Sequence, residues 1–165
     1  MLHDIGYYIA YDRHHEHTYH LIVHSTLPGL TRREQGMVAA VARYHTKALP
    51  KSKHVSWSAL EPVDRPTVRA LASILRLADG LDRGRSAHVE DVSAVVEADQ
   101  VRLVIRGDSD MHAEIHGTEK KRDLFEETFG RLVVIEVAPR TVAANDAPPT
   151  GNPAGRMTQI GDEHG

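Results

Sequence analysis

The pattern of apolar positions changes its period near the middle of the chain. Up to about residue 86, apolar residues recur every three or four positions, which is typical of amphipathic helices. The strongest case is residues 64–83, where Val68, Leu71 and Leu75 share one face and further apolar residues widen it around much of the circumference. This pattern predicts a central, buried helix with its first aspartate as the N-cap and Gly84 as the stop.

Three shorter helical elements are predicted before the central helix. Residues 2–6 form the last turn of a helix that ends at Gly6, because glycine readily adopts the left-handed C-cap conformation. A second helix covers residues 14–25. Thr31 and Glu34 have the spacing of a capping box and therefore mark the start of a third helix.

In that third helix, Met37, Val41 and His45 recur every four residues. The imidazole of His45 is therefore expected to point inward, along the same stripe as the apolar side chains.

Alternating and β-branched residues predict strands in the second half of the chain. They cover residues 89–97, 101–106 and 131–137. One polar, amphipathic helix is expected at residues 110–128. The order of these elements is β-β-α-β.

The predicted fold class is mainly α. A helical domain at residues 1–86 is expected to precede a small α/β unit at residues 87–139. Residues 140–165 are rich in Ala, Pro, Gly, Asn and Thr and are expected to form a disordered tail.

Composition narrows the classes of function. The formal net charge of −3 argues against a nucleic-acid binder driven by bulk charge, so DNA is not an expected partner. The absence of cysteine excludes disulfides and thiolate metal sites. No stretch approaches the roughly 20 apolar residues that span a bilayer, so no membrane association is expected and a cytoplasmic location is the default.

Histidine is concentrated at the start of the chain. Half of the 12 histidines lie within the first 24 residues, interleaved with carboxylates. Imidazole nitrogen and carboxylate oxygen suit borderline divalent metals, and the same residues suit a site that grips phosphoryl oxygens.

Asp79 is the second chemical signal, because it lies on the apolar face of the central helix. A carboxylate there needs a partner to offset the cost of burial. Two alternatives remain open: a metal shared with the pair His3–Asp4, or an ion pair with Arg76, Arg83 or Arg85.

A third group of residues is basic. Its members could line a channel for a linear polyanion, because Lys and Arg recognise phosphate mainly through charge. The competing interpretation is a solvated helix end with lysines on the surface. The residues predicted to bind a polyanionic substrate are Arg13, His14, Arg43, His45, Lys47 and Lys51.

A His–Asp pair followed by an Ala–Asp on a later helix resembles the HD phosphohydrolase superfamily. Over residues 2–139 the chain more closely resembles the C-terminal region of the Ppx/GppA family, the exopolyphosphatases and guanosine pentaphosphate phosphohydrolases. The resemblance is carried by the segments LHDIGYYI, RHHEHTYHLI, LPGLTRRE, ARYHTKALPK, LRLADGLDR and LFEETFGRLVVIEV.

The resemblance implies an HD-like helical domain that follows actin-like catalytic lobes in family members. On this basis the chain is expected to be a partial domain, fragment or split-gene product, with its catalytic residues unknown and its own enzymatic activity open. A divalent metal such as Mg, Mn, Ni or Zn is the cofactor that an HD-like site implies. Its implied ligands are His3, Asp4, His17, His45 and Asp79.

Three functions follow from the resemblance and stay open. The first is a C-terminal domain that binds polyphosphate or guanosine polyphosphate and supports assembly, either as a homodimer or with the missing lobes. The second is a standalone metal-dependent HD phosphohydrolase. The third is a non-catalytic dimerisation module.

Overall fold

The computed structural model describes residues 2–84, 87–107 and 110–138. The fold is mainly helical with one small sheet, as the sequence predicts. The helices in chain order are a 3-10 helix at Leu2–Tyr8, α1 at His14–His24, α2 at Arg32–Arg43, α3 at Val55–Ser58, a 3-10 turn at Pro62–Asp64, α4 at Arg65–Leu81, α5 at His112–Glu119 and α6 at Asp123–Phe129. The strands are β1 at Val89–Val96, β2 at Gln100–Gly107 and β3 at Leu132–Val137.

The prediction of a left-handed cap at Gly6 is wrong. Positive φ angles occur at Gly29 and Gly130 among the described glycines, whereas Gly6 is buried inside the 3-10 helix. Its N–H donates to Thr18 Oγ1 at 2.9 Å, and a Cβ at this position would overlap the backbone of His14 and Thr18. Glycine is therefore needed here because the 3-10 helix lies directly against α1.

The first helices pack through small side chains. The predicted capping box is confirmed: Thr31 Oγ1 accepts from the Glu34 backbone N–H, and Thr31 N–H donates to the Glu34 carboxylate. Ala39 and Ala42 are buried against Ile22. Gln35 then donates its side-chain amide to the last carbonyls of α1, which would otherwise lack intrahelical partners.

The predicted central helix is confirmed as α4, which packs against α2, α5 and α6. Val68 and Ala72 are fully buried on it. Asp64 stands at the predicted N-cap position, but its side chain makes no capping hydrogen bond and instead binds Arg33.

The α/β unit differs from the prediction in one element. The single helix expected at residues 110–128 is wrong, because α5 ends at Glu119 and α6 begins at Asp123. The break has a physical reason in the packing against α4: Gly117 contacts the end of α4 so closely that a Cβ would overlap Gly80 O, and Lys121 turns inward at the junction, where it is 7% exposed.

The three strands form a sheet in the order β1-β2-β3. β1 and β2 are antiparallel, while β2 and β3 are parallel and are joined by the crossover through α5 and α6. Alternate residues of β2, namely Val101, Leu103 and Ile105, are buried. β1 lies at the edge of the sheet, and nearly all its residues are exposed.

The predicted domain division at residue 86 stays a prediction, since Arg85 and Ser86 lie outside the described residues. The predicted tail at 140–165 also lies outside them. In the part of the chain that is described, no helix combines the length and the apolar character needed to cross a membrane.

Candidate functional site

A cleft of about 1200 Å³ opens where several chain segments meet. Its walls come from the N-terminal 3-10 helix and the start of α1, from the residues after α2, from the end of α4 and from the α5–α6 junction. Four cationic side chains line it: Arg13, Lys47, Arg83 and Lys121. Two tyrosines, Tyr7 and Tyr11, stand at the same opening.

Imidazole and carboxylate groups converge beside this cleft in a first cluster. His45 Nε2 lies 3.3 Å from His14 Nε2 and 3.4 Å from Asp4 Oδ1, and His14 Nε2 lies 3.8 Å from the same Asp4 oxygen. Three residues that are distant in sequence thus place three ligand atoms within one small triangle.

A second cluster shares His45 and adds His3 and Asp79. His3 Nε2 lies 3.7 Å from Asp79 Oδ1 and 3.5 Å from Asp4 Oδ2. The Asp79 carboxylate already has a cation, because Lys121 Nζ contacts its Oδ2 atom. Asp79 therefore faces inward as predicted, but the charge that compensates it comes from the α5–α6 junction.

The alternative prediction that Arg76 pairs with Asp79 is wrong. Arg76 is fully buried and binds Asp123 at 2.5 Å, the Lys121 carbonyl at 3.3 Å and the Thr46 carbonyl. Arg83 lines the cleft, and Arg85 lies outside the described residues.

Burial sets the protonation of His45. The imidazole is 1% exposed, and burial lowers its pKa from 6.5 to about 4 despite the opposing effect of its hydrogen bond to Ala42 O. His15, which also lines the cleft, has its pKa lowered to about 4 by burial and then by the charge of Arg43. Both rings are therefore neutral near pH 7.

Lys121 is the unusual cation of the site. Burial and, second, the charge of Arg76 lower its pKa from 10.5 to about 8, while Asp4 opposes the shift. The side chain is still mostly an ammonium at neutral pH, which accords with its contact to Asp79.

Four of the six predicted substrate residues line the cleft: Arg13, His14, His45 and Lys47. The other two do not. Arg43 is buried, donates to Glu16 Oε1 at 2.9 Å and lies over the ring of Tyr44. Lys51 is exposed in a turn that does not line the cleft.

The five predicted metal ligands are also divided. His3, Asp4, His45 and Asp79 fall into the two overlapping clusters, whereas His17 belongs to neither. His14, predicted only to bind substrate, supplies the ligand atom from α1. One helical turn separates His14 from His17, and the start of α1 is the turn that reaches the site.

The sequence reasoning missed Lys121 because it placed this residue within one continuous helix. It also assigned no site role to Tyr7, whose ring stacks on His14 with centroids 4.0 Å apart and an angle of 16°. Its position in an aromatic-rich loop next to the histidines was the available signal.

The donor set fits a divalent metal of the borderline class. Both clusters combine two imidazoles with one carboxylate, a set found around Zn, Ni, Co and Fe(II). Which residues would hold an ion depends on the tautomers of the imidazoles and on the position of Lys121.

The comparison with family models gives a match over most of the described residues. The model of the Ppx/GppA phosphatase, domain III, matches residues 1–126, which include the helical region, β1, β2, α5 and the first part of α6. The match contains every residue of both clusters and of the cleft wall. It spans well over half of the 165 residues, and the chain therefore belongs to the Ppx/GppA phosphatase family through its domain III.

Proposed function

We propose that this domain binds the phosphate chain of polyphosphate or of a guanosine polyphosphate for a phosphohydrolase of the Ppx/GppA type. The observation that carries the proposal is the cleft, in which four cations from separate segments face one space of about 1200 Å³. That space is large enough for several phosphate units, and family membership supports a phosphate-containing substrate.

The charges in the cleft favour an anion with repeated phosphates over a single small ion. Lys47 and Arg83 come from opposite walls, after α2 and after α4. Asp79 lies between them, and Lys121 offsets its negative charge. Recognition by such cations is mainly electrostatic and therefore tolerates different chain lengths.

Polyphosphate titration of the whole chain, followed by calorimetry, tests this proposal. Lys47→Ala and Arg83→Ala should each weaken binding several-fold and should make it less sensitive to salt, since each removes one phosphate contact. Lys51→Ala is the matched control, because Lys51 lies close to Lys47 in sequence but outside the cleft.

Unchanged affinity in both cleft variants would contradict the proposal. A loss in Lys51→Ala equal to that in Lys47→Ala would also contradict it, because binding would then follow surface charge and not the cleft.

A role in assembly is the second part of the proposal. Its support is the edge strand β1, where Val92, Val95 and Val96 are exposed although most apolar strand residues elsewhere are covered. A homodimer through this edge would show in light scattering and would be lost in Val92→Lys, whereas a monomer at all concentrations counts against it.

A second candidate function is hydrolysis by this chain alone with a bound metal. The convergence of His and Asp ligand atoms beside the cleft favours it. A bound ion would supply a water of lowered pKa and would offset charge on a phosphoryl oxygen. Turnover of polyphosphate that appears with Mn²⁺ or Ni²⁺ and disappears with chelator is the expected result for this candidate.

A further inference from the structure

Two imidazole rings face each other with their Nε2 atoms 3.3 Å apart. One belongs to His14 at the start of α1, and the other belongs to His45 just after α2. Such a distance is normal for a hydrogen bond only if one nitrogen carries the hydrogen.

The other nitrogen of each ring determines where the hydrogen lies. His45 Nδ1 is 2.5 Å from Ala42 O, and His14 Nδ1 is 3.3 Å from Tyr11 O. A carbonyl oxygen only accepts, so both rings donate from Nδ1. In their neutral forms both Nε2 atoms then present lone pairs to each other, and no hydrogen bond joins them.

A cation between the two rings resolves this opposition. Asp4 Oδ1 completes the triangle, 3.4 Å from His45 Nε2 and 3.8 Å from His14 Nε2. A tetrahedral ion bound at about 2.0–2.2 Å from each donor keeps its donors about 3.3–3.6 Å apart. The three measured separations lie at or close to this range.

We propose that Asp4, His14 and His45 form a binding site for one borderline divalent cation such as Zn²⁺, Ni²⁺ or Co²⁺. Two imidazoles and a carboxylate are the donors that this class of ion prefers. The hydrogen bonds from both Nδ1 atoms to backbone carbonyls hold the rings in the tautomer that ligation requires.

The same geometry excludes the predicted ligand set of five residues. His45 has a single nitrogen available, because its Nδ1 is committed to Ala42 O, so one terminal ion selects one of the two clusters. Asp79 is engaged by the Lys121 ammonium, which repels a metal ion at that carboxylate. His17, one turn further along α1, belongs to neither cluster.

The alternative resolution is a proton. If His14 carries hydrogens on both nitrogens, its Nε2–H donates to His45 or to Asp4, and no metal is needed. The proposal does not depend on polyphosphate binding, so the two can be tested separately.

The test is a titration of the chelator-treated full chain with Zn²⁺, Ni²⁺ and Co²⁺ by calorimetry, with the visible spectrum of bound Co²⁺ as a second readout. The expected result is one ion per chain. His14→Asn and Asp4→Asn should weaken binding by more than about tenfold, since loss of even an outer partner of a ligand costs that much. His14 is preferred for substitution because its side chain is 14% exposed, whereas His45 is buried.

His17→Ala is the matched control and should retain wild-type affinity, because it removes the same residue type from the same helix. Asp79→Asn should weaken binding much less than His14→Asn does. Failure of all three ions to bind, with His14 doubly protonated in its NMR spectrum, would overturn the proposal. Equal losses in the His14 and His17 variants would overturn it as well.

Discussion

The two ends of α4 each carry an aspartate, and the two carboxylates are compensated in different ways. Asp64, just before the helix, accepts two hydrogen bonds of 2.7 Å from the Nε and Nη2 atoms of Arg33 on α2. Asp79, in the last turn, contacts Lys121 from the α5–α6 junction and faces His3 across 3.7 Å. The first pair closes a helix end, whereas the second borders a cleft.

This difference shows where the molecule gains stability and where it keeps reactive groups. At the start of α4 the partner is an arginine that is still 58% exposed in its side chain, so the pair is cheap to form and has few neighbours. At the end of α4 the charged groups are drawn from the N-terminal helices and from the α/β unit. We expect substitutions at this end to have the larger effects.

The largest effect is expected for Arg76→Ala at the cleft end. Arg76 is 0% exposed and donates to Asp123 and to the carbonyls of Thr46 and Lys121. Its removal leaves buried acceptors unsatisfied and should lower the free energy of unfolding by about 3 kcal/mol. Urea denaturation measures this loss.

Arg69→Ala is the control on the same helix. Arg69 pairs with Glu127 at 2.9 Å but is partly exposed, so its loss should cost less than about 1 kcal/mol. Equal losses in the two variants would mean that Arg76 is no more than another surface cation and would remove the contrast between the two sets of contacts.

A smaller effect is expected for Gly6→Ala, which acts on the N-terminal wall of the site. The added Cβ would overlap the backbone of His14 and Thr18, and relief of such overpacking costs about 1–3 kcal/mol. The 3-10 helix would move away from α1, and the triangle of Asp4, His14 and His45 would open. Unfolding and metal titration should therefore both show a loss.

Gly36→Ala on α2 should give the opposite sign. A Cβ there meets nothing within 4 Å, and alanine is favoured over glycine in a helix by up to about 1 kcal/mol. If Gly6→Ala were as stable as the wild type, close packing would not be the reason for glycine at this position.

The sequence predicts the two ends of α4 unequally well. Periodicity alone places Asp79 on a buried face, because helical geometry fixes that direction. The identity of its partner depends on the break between α5 and α6, which follows from tertiary packing at Gly117 and not from local pattern. In the same way, the sequence places several histidines on α1, but the seating of Gly6 against Thr18 decides that His14 reaches the site and His17 does not.

The smallest effect distinguishes the two aspartates by pH. The hydrogen bonds from Arg33 hold the pKa of Asp64 below its ordinary value of 3.8. A carboxyl group with a lowered pKa in the folded state adds stability above its unfolded pKa, and this stability is lost as the pH falls through the folded pKa. Arg33→Ala should therefore be slightly less stable than the wild type near pH 6, and the gap should close below about pH 4.

The measurement is urea unfolding of both proteins at a series of pH values, with Arg32→Ala as control. Arg32 is the exposed neighbour of Arg33, and the hydrogen bonds to Asp64 come from Arg33 alone among the described residues. Its loss should leave the acid dependence unchanged. A gap between Arg33→Ala and the wild type that stays constant down to pH 2 would show that Arg33 acts by packing and not through the charge of Asp64.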